Sequence, residues 1–488
     1  MLFNSIDFLI FFPIVVIIYY IIPAKLKVFW LLMSSYYFYM CWNIKYSLLI
    51  LASTIITFFT GIAIRRFRKY RNIILIFSLI TNLLILVYFK YSNYFIYIID
   101  TIFGFIGVPI RIPQMDILLP VGISFYTFQA LGYTVDVYRG DIEPENNFIK
   151  YALFVSFFPQ LVAGPIERSK NLLPQLNCEK RFDYEKARDG FLIMLWGYFL
   201  KLVIADRAAV YVDCVYGDYV NYPGYYIVVA TVLFGFQIYC DFAGYSAIAI
   251  GAAKILGVEL MENFDSPYLS LSVADFWRKW HISLTGWFRD YLYIPLGGSR
   301  KGKVRKYINV FIVFLVSGLW HGASVTFVIW GVINAIYQII GELLTPFKKY
   351  IVYYFRVDSN SLGIKLIRVL LTFILVDFSW VFFRANYTLE AINIIKSMFF
   401  THNPWVLVDG SLYNCGLSAG NFHVLIMAVF VLFIADLCKA KEIRIRDILV
   451  KQAFPIRVIM IDMIILIILI WGMWGSVYNT ESFIYFQF

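Results

Sequence analysis

Apolar stretches long enough to cross a lipid bilayer recur along the whole chain, and their repetition is incompatible with a water-soluble fold. A hydrocarbon core about 30 Å thick takes roughly 20 residues of helix to cross. On that measure spans are expected near residues 8–22, 28–43, 47–64, 73–89, 93–108, 118–138, 190–206, 225–240, 306–320, 323–343, 366–383, 422–438 and 457–474. Two more oily stretches, 148–163 and 242–257, are short or rich in Gly and Ala and read as re-entrant or tightly packed elements. Backbone groups left unpaired in hydrocarbon are prohibitively costly, so the expected class is an all-α polytopic membrane protein. Composition agrees. Of the residues 61% are hydrophobic, 20% aromatic and 15% charged, whereas soluble domains carry about 25% charged residues.

The first span, "FLIFFPIVVIIYYII" (Phe8 to Ile22), has no basic stretch before it and no small-residue cleavage site after it. It reads as a retained helix, with the mature chain starting at Met1, and not as a secretory signal. No internal duplication is visible, so a transporter built from inverted repeats gains no support.

The net charge of +11 does not point to nucleic acid, because the basic residues fall in short blocks between oily segments. The clearest are "RRFRKYR" (Arg65 to Arg71), "RKGKVRK" (Arg300 to Lys306), Lys348 with Lys349, and "KAKEIRIR" (Lys439 to Arg446). Positive-inside anchoring places all of them in the cytoplasm, with both termini outside. Six cysteines (Cys41, Cys178, Cys214, Cys240, Cys415 and Cys438) show no C-x-x-C or His-paired spacing, so neither a metal site nor a disulfide framework is indicated.

Between Val258 and Lys306 lies "NFDSPYLSLSVADFWRKWHISLTGWFRDYLYIPLGGSRKGKVRK", neither a clean span nor an ordinary loop. It mixes Trp277, Trp280, Trp287, Tyr291 and Tyr293 with Arg278, Lys279, Arg289 and Asp290, a composition suited to helices at the inner interface. An aromatic belt with snorkelling cations explains the residue types. It does not explain the length, the embedded His281 or the paired Gly297 and Gly298 after Pro295.

His321 is the most telling residue, set in "VSGLWHGASVTFVIWG". An ionisable group inside a membrane is a functional hypothesis by default. With a helix starting near Tyr307, His321 lies fourteen residues along it, about 21 Å at 1.5 Å per residue and roughly two-thirds of the way across. Desolvation disfavours the imidazolium, leaving a neutral ring able to take a proton from a hydroxyl. Gly318 and Gly322 flank it and are expected to leave room for a substrate. A core histidine bonded to a neighbouring carbonyl fits the same position, and the residues alone leave both readings open. His281 sits where a histidine is inexpensive, and His402 and His423 carry no constellation.

Taken with "PVGISFYTFQALGYTVDVYRG" (Pro120 to Gly140), "FFPQLVAGPIER" (Phe157 to Arg168), "FQIYCDFAGYSAIAIGAAKILG" (Phe236 to Gly257) and "WVFFRA" (Trp380 to Ala385), these two motif blocks resemble the membrane-bound O-acyltransferase superfamily. The similarity is to its bacterial branch that acetylates exported polysaccharides, and it covers nearly the whole chain. The quoted stretches look more like alginate and peptidoglycan O-acetylation membrane proteins than like the generally shorter D-alanine exporters. The resemblance implies a fold of about 11–13 transmembrane helices with re-entrant or interfacial helices around a central tunnel. It implies a catalytic role for His321 in the "LWHG" block and a supporting or donor-side role for His281. The usual "DFSGYSD" reads Asp241-Phe242-Ala243-Gly244-Tyr245-Ser246-Ala247 here, which leaves Asp241 as the one acid of that block.

The resemblance extends to the terminal "FIYFQF" (Phe483 to Phe488), in which Tyr485 is the expected acyl carrier. Ten residues separate Gly475 from Tyr485, and an extended chain of that length reaches roughly 33 Å. A phenol of pKa near 10 is a poor nucleophile until deprotonated and a good leaving group once acylated. Interfacial anchoring by aromatics explains the same composition.

The implied donor is acetyl-CoA or another cytosolic acetyl thioester, with no bound cofactor. Trp277, Arg278, Trp280, Arg289 and Asp241 are the candidate donor- and substrate-binding residues, cations being suited to a phosphate-bearing donor. The implied partner is an extracytoplasmic, hydrolase-like acetyltransferase, and the location a bacterial cytoplasmic membrane. The chain is expected to form one domain over 1–488, with 258–306 as motif segment and 475–488 as an extracytoplasmic tail. The competing class is a non-enzymatic transporter of polysaccharide or lipid-linked sugar, which calls for several polar groups at mid-membrane on unwound helices.

Overall fold

The computed structural model describes residues 1–107, 112–177, 180–356 and 358–474. Every regular element among them is helical. Seven helices are long and apolar enough to cross a membrane: Ile44–Arg66, Arg68–Ile106, Tyr225–Ile255, Val325–Leu343, Leu362–Arg384, Ala419–Ala440 and Phe454–Trp471, with Ile6–Ile21 a shorter apolar helix. The protein is thus an all-α, multi-pass membrane protein.

Several boundaries differ from the expected spans for identifiable reasons. The expected spans 73–89 and 93–108 are not separate: as far as residue 106 they lie in one α-helix, Arg71–Ile106. The polar break between them, "KYSN", contains neither Gly nor Pro, so nothing interrupts the i→i+4 ladder. That helix stops at Gly107, whose φ of 78° is left-handed. Residues 225–240 and 242–257 likewise merge into Tyr225–Ile255. The stretch 148–163 instead breaks into Phe148–Ser156 and Phe158–Leu161, both too short to span. The stretch 190–206 continues from Tyr184–Tyr198 through a wide π-helical turn, Phe199–Ala205, into Asp206–Gly217.

The chain divides into two compact units, Met1–Met194 with Tyr245–Met261, and Leu195–Gly244 with Glu262–Phe488. In the first, the rings of Phe8, Phe11, Phe38 and Phe158 pack on one another, and the Tyr151 hydroxyl donates to Thr57 Oγ1 at 2.7 Å. Lys254 pairs with Asp189 there, and the Met261 N–H donates to the buried Glu167. Burial pushes the Glu167 carboxyl up to about 7.

In the second unit the π-helical turn carries Lys201, 3% exposed, between Asp206 at 2.8 Å and Asp241 at 2.6 Å. The same turn holds the end of the last helix. The Leu202 carbonyl of the turn accepts from the Met473 N–H at 3.0 Å, and Arg207, in the helix that follows the turn, donates to the Trp471 carbonyl at 2.7 Å. The segment from Val258 to Lys306 forms no span. It is built from short helices, chiefly Val273–Lys279, Ile282–Phe288 and Arg289–Tyr293. Gly297 and Gly298 follow with φ of 106° and 54°, a backbone that side chains strain to adopt. The buried Asn309 donates to the Gly298 carbonyl at 2.9 Å and fixes that turn.

Lys303–His321 and Val325–Leu343 then form an antiparallel hairpin joined by Gly322, Ala323 and Ser324. Ser324 Oγ accepts from the Thr326 N–H and caps the second helix. A methyl group at Gly331 would run into the Phe314 carbonyl, and one at Gly318 into the Phe327 carbonyl. Small residues here permit backbone contact that lipid alone would not drive. Gly331→Ala should therefore spread the hairpin and lower stability by about 1–3 kcal/mol. Thermal unfolding of the detergent-solubilised variant should show a lower midpoint than the parent; an unchanged midpoint would mean the two helices are not held at backbone contact.

Candidate active site

The hairpin's geometry decides where His321 lies. It is the last residue of its helix, eighteen residues beyond Lys303, a rise of about 27 Å. The expected start at Tyr307 underestimates this length, because the basic turn at Lys303 to Lys306 is itself helical. His321 is buried, 5% exposed, and three rings stand nearly perpendicular to it: Trp320 at 5.0 Å, Trp330 at 5.1 Å and Phe383 at 5.2 Å between centroids.

One expectation is corrected. Gly318 and Gly322 do not leave room beside the imidazole, because the space over them is filled by the Phe327 carbonyl and the Phe327 ring. These glycines serve helix packing.

His281 is held differently. It precedes Ile282–Phe288 with φ 45° and ψ 54°, a left-handed conformation unusual for a residue with a Cβ. Such strain costs of order 1–3 kcal/mol and persists where surrounding bonds enforce it. Asn263 does the enforcing: its carbonyl accepts from the Ile282 N–H at 2.9 Å, and its Oδ1 accepts from Ser283 Oγ at 2.9 Å and the Ser283 N–H at 3.3 Å. An N–H can only donate, so the atom facing it is the amide oxygen. His281 Nδ1, 3.1 Å from the same oxygen, therefore carries its ring proton and Nε2 carries the lone pair. Burial pushes the His281 imidazole down to about 3. Trp320 lies between the two histidines, its centroid 6.1 Å from His281.

The structure gathers Trp277 and Trp280 into the same aromatic mass. Trp277 packs perpendicular to Trp330 at 5.5 Å and donates its N–H to Asn334 Oδ1 at 3.2 Å. Asn334, fully buried, donates in turn to the Trp330 carbonyl and to Ser379 Oγ. Trp280 stacks on Phe276 and lies 5.2 Å from Trp380, which is stacked on Trp330. The two tryptophans are buried rather than spread as an interfacial belt.

The expected donor-side cations are placed elsewhere. Arg278 is exposed, and Arg289 is exposed beside Asp290 at 2.9 Å. Asp241 is buried with Lys201, while its chain neighbour Phe242 meets His281 at 4.6 Å between centroids. Tyr485 lies outside the described residues. Asn263, Trp330, Trp380 and Phe383 stand inside the motif blocks quoted above but are not singled out there as site residues. Asn334 gives a signal of its own, as a polar residue in an oily helix.

Residues 144–356 match the family model described as MBOAT, membrane-bound O-acyltransferase. A probable alginate O-acetylase of Pseudomonas aeruginosa is 36% identical over 88% of this chain and 81% of its own. Its counterpart in Pseudomonas syringae pv. tomato is 36% identical over 84% and 77%. A peptidoglycan O-acetyltransferase of Helicobacter pylori is 33% identical over 82% and 80%.

The lowered pKa of His281 has a pH signature. Between the ordinary value of 6.5 and about 3 the unfolded chain takes up a proton that the folded chain refuses, so stability falls as pH drops through that window. A His281→Gln variant should show a shallower loss of thermal midpoint between pH 6.5 and 4 than the parent. Parallel curves would place the imidazole in contact with solvent.

Proposed function

Because the chain belongs to the membrane-bound O-acyltransferase family and is an acyltransferase, we propose that it O-acetylates an exported or cell-wall polysaccharide from the bacterial cytoplasmic membrane. The supporting observation is identity of 33–36% over more than four-fifths of the chain to proteins named for alginate and peptidoglycan O-acetylation.

On this reading the donor is acetyl-CoA or another cytosolic acetyl thioester. His321 takes the proton of the acceptor hydroxyl, whose oxygen attacks the thioester carbonyl. The tetrahedral intermediate collapses with breakage of the C–S bond, and the thiolate leaves with the proton from the imidazolium. The rings of Trp320, Trp330 and Phe383 keep water from competing for the acyl group. His281, set in one tautomer by Asn263, packs against Trp320. Tyr485 is the acceptor that carries the acetyl group as a phenyl ester to an extracytoplasmic hydrolase-like transferase. The anchoring of Trp471 and Met473 fixes the point from which that tail departs.

His321→Ala should lower acetyl transfer by about 10²–10⁴-fold while the protein remains folded in the membrane. Ester release from envelope polysaccharide measures it, and near-parental acetylation would remove His321 from the chemistry. Tyr485→Phe should abolish delivery to the polysaccharide and remove an acetyl adduct from the C-terminal peptide in intact-mass analysis. Full delivery by that variant would eliminate the relay while leaving the acyltransfer step standing.

A further inference from the structure

Asp377 lies in the membrane-crossing helix Leu362–Arg384 and is 7% exposed, yet its Oδ1 has no hydrogen-bond partner among the described residues. Other buried acids of the same unit are partnered. Asp241 pairs with Lys201, and Glu390 accepts from the Asn386 N–H at 2.8 Å. A buried carboxyl without a donor costs more than the hydrogen bond it lacks. The carboxyl stands over Gly235, where an added Cβ would meet Oδ1 at 2.7 Å, and beside the Tyr268 hydroxyl, which is itself committed to the Gly235 carbonyl at 2.6 Å.

Asp377 is connected to His321 by direct packing. Trp380, one turn further along the helix, stacks on Trp330 at 5.9 Å, and Trp330 meets the His321 ring. The Trp330 indole N–H is fully buried and also has no partner among the described residues. From the basic start of the helix, at Lys365 and Arg368, toward Phe383 and His321, the order is an acceptor lacking a donor and then a donor lacking an acceptor.

We propose that Asp377 accepts the amide N–H of the donor's arm and that Trp330 donates to the thioester carbonyl beside His321. An acyl thioester on a cysteamine-type arm presents an amide N–H and then, two methylenes and a sulfur later, a carbonyl oxygen. That sequence is the complement of the two orphaned groups. The assignment rests on the proposed donor and its entry from the basic end. It makes Asp377 the residue that separates amide-bearing thioesters from simple ones. Coenzyme A and the prosthetic arm of a carrier protein share this amide.

The test uses the full-length protein in vesicles and follows free thiol release from S-acetyl-N-acetylcysteamine and from ethyl thioacetate, which lacks the amide. The parent should favour the amide-bearing donor by about 10- to 100-fold in kcat/KM, the worth of one buried charge-assisted bond. Asp377→Leu should bring that ratio close to one, and Asp377→Asn should lower it partway. Trp330→Phe should slow both donors alike and leave the ratio unchanged, since both carry the carbonyl. Acetyl-CoA and an acetylated carrier protein, run in parallel with parent and Asp377→Asn, identify the source of the arm. A parent without preference, or an Asp377→Leu variant that keeps it, overturns the assignment, as does equal loss on both donors, the mark of a purely structural carboxyl. Parent protein that consumes no thioester at all would instead overturn the acetyl-thioester reading on which this one rests.

Discussion

Backbone contact between the two helices of the hairpin is the constraint on which the candidate site depends. Lipid offers no hydrophobic drive for two helices to associate, so the approach has to come from shape. Gly318 and Gly331 supply it by letting each helix rest on a carbonyl of the other. That contact brings Trp330 against the His321 ring at 5.1 Å. It also puts Asn334 where one carboxamide ties Trp277 on one side to Ser379 on the other. A wider hairpin would separate the imidazole from the aromatic rings around it.

Polar groups buried within the second unit fall into two kinds. Some are well partnered: Asn263 gathers three donors on one oxygen, and Lys201 sits between two carboxylates. Such arrangements fix a conformation, as the left-handed backbone of His281 illustrates, because a half-satisfied network would cost more than an apolar core. Asp377 Oδ1 and the Trp330 N–H are of the other kind, buried at a cost and without a hydrogen-bond partner among the described residues. Proteins tolerate such defects where function uses them.

Much of this was legible in sequence because lipid imposes a simple rule on long apolar runs. The spans at 47–64, 366–383 and 422–438 fall within helices Ile44–Arg66, Leu362–Arg384 and Ala419–Ala440. Hydropathy cannot tell whether a short polar interruption ends a helix, which is why 73–89 and 93–108 read as two spans and fold as one. The motif segment announced itself by length and by its tryptophans. What it hid was long-range pairing: Asn263 lies eighteen residues before His281, and no local periodicity links them. The glycines beside His321 misled for a related reason. A missing side chain reads as space, but whether that space remains open depends on the neighbouring helix.

If His321 is the base, as proposed, its aromatic surroundings give a reason for burying it so completely. An acyl thioester and a phenyl ester are both open to hydrolysis, and a base that activates a hydroxyl activates water equally well. Charged walls would bring water with them. Indole and phenyl rings exclude it while offering edges and N–H groups that orient a carbonyl. Under the proposed reading, the exposed Arg278 and Arg289 would meet a phosphate-bearing donor in water while the reacting carbonyl is carried inward. On that reading the distance between a wet recognition surface and a dry reacting centre is bridged by the donor's own arm. An arm that crosses an apolar interior with an amide in it needs a partner for that amide on the way, and Asp377, whose Oδ1 has no hydrogen-bond partner among the described residues, lies on the helix that leads from the basic end to the imidazole.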